Sequence, residues 1–146
     1  MTTNHPYSSE NAAARAQLKA FIAGLTEADL SHAMDAGWTV AAVLGHLAFW
    51  DQRALTLLEK WQKNGIGPSP IDTDVVNEAT RPLCLAIPAR AAAEIALSSA
   101  TAIDQAVDEL SPEMIAEIET NGKTVLLNRG KHRHTHIAEI AQALGK

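Results

Sequence analysis

Apolar residues recur at intervals of three and four along most of the chain, the period of helices with one buried face. Leu18, Phe21, Ile22 and Leu25 form the first stripe, on a helix expected over about 10–24 with Ser8 or Ser9 as its cap. Residues 1–8 read as a loose tail, and Leu25 to Gly37 as a connector with at most a short helical turn. The strongest pattern follows: Val40, Val43, Leu44, Leu47, Trp50, Ala54, Leu58 and Trp61 share one face. Gly37 punctuates the chain before this helix, Thr39 is placed to cap it, and Asn64-Gly65 to close it.

Gly65 to Asp74 is a loop by its glycine and proline content, and the segment after it reads as a short helix broken at Pro82. Pro88 suits the first turn of a long helix to about 110, with a stripe through Ala92, Ile95, Ala96, Ser99, Ile103, Val107 and Leu110. The stretch from Ile115 to Leu127 has two readings. Asn121-Gly122 between alternating apolar residues is a hairpin signal, but the same residues can form a loop before a helix over 125–144 capped by Thr124. Ile137, Ile140, Ala141 and Leu144 continue a helical stripe and favour the helix. Four principal helices with one long middle connection predict an all-α protein, an antiparallel four-helix bundle.

Composition narrows the function classes. A length of 146 residues is that of one domain, 1–146, which buries roughly 70% of its unfolded surface without needing cross-links. The single cysteine, Cys84, excludes an internal disulfide framework and a cysteine-based zinc finger, and suits a reducing cytoplasm. Its apolar setting, "PLCLAI", marks it as a core filler rather than a nucleophile. The net charge of −5 and the lack of a basic block argue against nucleic acid as a partner. The N-terminal stretch lacks the apolar core of a signal peptide, and no apolar run approaches the ~18 residues of a membrane span. The expectation is a cytoplasmic protein with no membrane partner.

Candidate chemistry lies in "GKHRHTHIAEI", where three of the six histidines fall close together. His132 and His136 are four apart, so on a helix they share a face and can reach one metal ion; solvated histidines beside Lys131 and Arg133 are the alternative. His134 lies about 200° round the helix from His132 and cannot join them. Two imidazoles make a poor site. His46, on the shoulder of the strongest helix, is the candidate third ligand, because metal sites of bundles are built between facing helices. His5 and His32 fall in expected loops and carry no functional reading.

"WTVAAVLGHLAFWD", followed near the C-terminus by "HRHTHIAEI", resembles the DinB-like superfamily in order and spacing over nearly the whole chain. The resemblance implies an up-down-down-up four-helix bundle, often a homodimer, with His46, His132 and His136 as ligands of a divalent transition metal, zinc or nickel. The remaining coordination positions would be open to water or substrate. Members include mycothiol-dependent maleylpyruvate isomerase and bacillithiol S-transferases. It therefore implies a metal-dependent transferase, isomerase or hydrolase acting on a small molecule, with a low-molecular-weight thiol as a further cofactor. The competing reading is a non-catalytic bundle that binds or sequesters a small ligand.

Other residues around the histidines have defined expectations. Asp51 projects onto an apolar face and needs a partner, Arg81 or Arg90, unless it orients a histidine or sits at a dimer contact. Glu139, three residues after His136, is placed to hold that ring from behind, to act as a base, or to stand as a solvated charge, and Trp50 is a pocket wall or a packing residue. Arg53 and Asn77 could recognise an anionic substrate. Gly130, inside the expected last helix, costs ~1 kcal/mol relative to alanine. Either it permits close helix packing or the helix starts later, which would weaken the placement of His132.

Overall fold

The computed structural model describes residues 5–146. Its α-helices are α1 (Pro6–Ala23), α2 (Glu27–Ser31), α3 (Val40–Asn64), α4 (Thr73–Ala86), α5 (Ala89–Asp108), α6 (Pro112–Thr120) and α7 (Gly130–Leu144). Short 3-10 turns precede α3 and α7, and there is no strand among the described residues.

The bundle is made of α1, α3, α5 and α7. Helix α3 packs most extensively on α5, α1 lies against α5 and α7, and α7 returns to α3. One apolar cluster joins Leu18 and Ile22 of α1, Val40, Leu44 and Leu47 of α3, Ala92 to Ala100 of α5, and Ile137 and Ile140 of α7. A second joins Leu58 and Trp61 of α3 to Ile103 and Val107 of α5, with Ile115 and Ile118 of α6 covering that end. The starts of α3 and α5 thus meet the ends of α1 and α7, which is the up-down-down-up arrangement. Parallel α3 and α5 require a long return, and α4 lies along it, packed on α3. No helix among the described residues is long and apolar enough to cross a membrane.

The periodicity located the four long helices, and several details differ. Helix α1 begins at Pro6, so residues 6–8 are not tail; the tail's first four residues lie outside those described. His5, not Ser8 or Ser9, caps it: Nδ1 accepts from the Ser8 amide at 3.2 Å, and Pro6 needs no partner at the first helical position. Helix α4 runs unbroken through Pro82, whose exposed position lets water take up the carbonyl that proline leaves unbonded. The Asn121-Gly122 pair does not turn a hairpin but ends α6. Gly122 takes φ 70°, and Lys123 N–H donates back to the Ile118 carbonyl at 3.1 Å. Helix α7 starts at Gly130 rather than 125, and Thr124 opens a 3-10 turn. Ile95 is exposed, because Ala93 and Ala100 take the core positions that bring α5 close to α3.

Candidate metal centre

The ligand-bearing turns are fixed locally. Thr39 Oγ1 accepts from the Ala42 amide at 3.1 Å and sets the start of α3, with His46 two turns on. The start of α7 is held by Asn11 of α1, which is buried. Its Oδ1 accepts from the Arg129 and Gly130 amides at 2.9 and 3.1 Å, and its Nδ2 donates to the Leu127 carbonyl at 2.8 Å. Gly130 allows α7 to lie against α1 at this point: a Cβ here would stand 3.0 Å from Ala14 Cβ and 3.2 Å from the Glu10 carbonyl oxygen. Both expectations for Gly130 therefore hold, since it starts the helix and permits the close approach. His132 nevertheless falls within the first turn and is well placed.

The three Nε2 atoms converge. His46 Nε2 is 3.2 Å and His136 Nε2 3.1 Å from His132 Nε2, and one ligand atom from each ring lies within 4.8 Å of the others. Ligands at ~2.0–2.1 Å from a tetrahedral ion stand about 3.3 Å apart, so two edges of the triangle already match. A neutral Nε2 carries either one hydrogen or one lone pair, so His132 cannot bond both neighbours well; a cation would take all three lone pairs. The group could therefore hold a metal ion.

Electrostatics keeps the rings neutral and ready to ligate. Burial, with His136 beside it, lowers the His46 pKa to about 4. Burial lowers that of His132 to about 3, helped by His136, His46, Arg129 and Arg133. His136 is also lowered by burial, against the opposing pull of Glu139. Glu139 Oε1 lies 3.6 Å from His136 Nδ1, so it stands by the ring without a close hydrogen bond. His46 Nδ1 is buried without a partner among the described residues, and Trp38 and Trp50 meet that ring edge-on at 5.6 and 6.5 Å.

The histidines line a cavity of about 830 Å³ bounded by α3, α4, α7 and the loops at 34–38 and 124–126. Trp50 is part of its wall, and its indole N–H donates to Asn77 Oδ1 at 2.9 Å. Arg53 and Asn77 also line it. His134 is exposed and stands apart from the group. Cys84 is buried, with its thiol pKa pushed up by burial, and is not part of the cavity wall.

Asp51 has neither of its expected partners. Arg81 pairs with Glu78 and Arg90 with Glu27. Asp51 accepts from Arg129 Nε at 2.9 Å and lies 3.5 Å from Arg133 Nη2. Burial pushes its carboxyl pKa up, more strongly than the two guanidiniums pull it down. Arg133 is fully buried and donates to both oxygens of Asp104 at 2.9 and 2.7 Å. Arg15 reaches the same carboxylate at 2.6 Å. Sequence reasoning missed this group, although Asp104 falls on the α5 stripe between Ala100 and Val107, and Asn11 falls three before Ala14 and seven before Leu18.

The family model of the DinB superfamily matches residues 10–144, and the chain belongs to that superfamily. No curated protein and no solved structure matches it.

Proposed function

We propose that this member of the DinB superfamily binds a divalent transition metal, zinc or nickel, through His46, His132 and His136, and acts on a small molecule in the adjoining cavity. The observation that carries the reading is the convergence of three imidazoles, His46 buried and His132 and His136 half-buried, on one point of the cavity wall, with burial favouring their neutral forms. When bound, such an ion supplies a Lewis acid that lowers the pKa of a thiol or water or polarises a substrate oxygen.

The chain's own groups support that chemistry from the sides. Trp38 and Trp50 give the cavity an apolar wall against the His46 ring and limit water there. Glu139 stands where it can hold the His136 ring and take a proton. Cys84 is buried away from the cavity, so it is not the nucleophile. We assign that role to an external thiol or water, which makes transfer, isomerisation through a thiol adduct, or hydrolysis the reaction classes to test.

Elemental analysis of protein purified without a histidine tag should find about one equivalent of metal per chain. It should be lost in His132→Ala/His136→Ala and kept in His134→Ala. Turnover of a panel of electrophiles with small thiols should then depend on added metal and vanish in His46→Ala. Stoichiometric ligand uptake without consumption would instead favour the non-catalytic, sequestering reading. No metal after reconstitution with zinc and nickel would sink the metal reading.

A further inference from the structure

The cavity wall carries three cationic side chains, and they are not equivalent. Arg129 is committed, since its Nε donates to Asp51 and its Nη1 to the Val125 carbonyl at 3.0 Å. Lys131 is exposed, and nothing fixes its ammonium among the described residues. Arg53 is half-buried and positioned. Its Nη2 donates to Ser69 Oγ at 2.8 Å and to the Ser69 carbonyl at 3.3 Å, and its guanidinium carbon lies 6.0 Å from the Trp50 ring centroid. These contacts orient the guanidinium without neutralising it. Among the described residues no carboxylate comes within ion-pair distance, and the Nε and Nη1 donors have no protein acceptor.

Asn77 adds a second donor group. Trp50 N–H can only donate, so it takes Asn77 Oδ1 and leaves the amide NH2 of Asn77 for another acceptor. Arg53 lies seven residues after His46 on α3, two turns along the same face, which puts their Cα atoms about 10 Å apart. Trp50, between them, gives that length of wall an apolar surface.

We propose that the cavity takes a small molecule with an apolar body and a carboxylate, the carboxylate held by Arg53 and Asn77 while the reactive part lies at the three histidines. The unused Nε and Nη1 donors can each give a charge-assisted hydrogen bond to a carboxylate oxygen, and a half-buried guanidinium without a counter-ion gains most from an anionic partner. The assignment rests on the proposed function in taking this cavity as the substrate site.

The test uses phenylacetate against phenylacetamide, which has the same shape without the charge, measured by calorimetry on chelator-treated and metal-loaded protein. The acid should bind the chelator-treated protein at least about tenfold more tightly than the amide. Arg53→Gln should remove that preference and Arg53→Lys restore part of it. Arg53 is outside the core, so neither change threatens folding. Equal binding of acid and amide, no binding of either, or a preference that survives Arg53→Gln overturns the assignment. The two readings fail separately: bound metal without an acid preference leaves only the metal reading standing, and an Arg53-dependent preference in a protein that takes no metal leaves only this one.

Discussion

At the scale of the residue, the histidines trade solubility of their charged forms for readiness to ligate. Imidazoles ordinarily titrate near 6.5, whereas His46 titrates at about 4 and His132 at about 3. In the unfolded chain they take up protons as the pH falls through 6.5; in the folded chain they do not until far lower. The unfolded state then binds more protons, so the metal-free protein should lose stability as the pH falls below 6.5, with the loss complete by about 3. Urea midpoints across that range should fall more steeply for the parent than for His132→Ala, which removes one such group. Parallel curves would show that His132 is not held neutral by the fold. The spacing of His132 and His136 was legible in the sequence because both ride one helix, and His46 because its helix is strongly amphipathic. The partners of Asp51 were not, because Arg129, at the N-cap of α7, and Arg133, within it, lie 78 and 82 positions away, and nothing local reveals such a pairing.

At the scale of the element, α7 is positioned by its first residue. Alanine at Gly130 would add helix propensity, but its Cβ would press on Ala14 and on the Glu10 carbonyl, both part of a helix that cannot yield at one point. Gly130→Ala should therefore destabilise the protein by about 1–3 kcal/mol and weaken metal retention, since His132 and His136 move with α7. Gly45 is the internal contrast. A Cβ there would meet Cys84 and Ile87 at 3.5–3.6 Å, ordinary contact, so Gly45→Ala should be neutral or stabilise by up to about 1 kcal/mol although it adjoins His46. Urea unfolding with parallel metal analysis separates the two cases; a stabilised Gly130→Ala would mean that α1 and α7 are not in tight contact. The stripes showed where long helices lie, but the ends depended on caps. The Ser111-Pro112-Glu113 start of α6 is a readable cap signal, with Ser111 Oγ accepting from the Met114 amide at 3.1 Å, but the Asn121-Gly122 pair that follows is equally a hairpin signal and makes the segment ambiguous in sequence.

At the scale of the whole molecule, the two apolar clusters are separated by a buried ionic layer to which every bundle helix contributes: Asn11 and Arg15 from α1, Asp51 from α3, Asp104 from α5, Arg133 from α7 with Arg129 at its cap. A helix packing that separated these groups would leave buried charges without partners, so the layer disfavours such packings of four similar, alanine-rich stripes. It also joins the fold to the site, because Arg129 lines the cavity while bonded to Asp51. Three guanidiniums face two carboxylates here, so the carboxylates are the scarcer partner. Asp104→Ala strips Arg133 of its closest contacts and leaves its charge buried, a loss of about 3–5 kcal/mol. Arg133→Met keeps much of the volume, leaves Asp104 with Arg15 and Asp51 with Arg129, and evens the charge, so it should cost clearly less. Guanidinium unfolding of the two variants decides the matter. If Arg133→Met is the more damaging change, the layer is not governed by charge balance, and the hydrogen bonds from Arg133 to the Asn11 and Ala100 carbonyls, at 3.2 and 3.4 Å, carry more of the stability than its ion pairs.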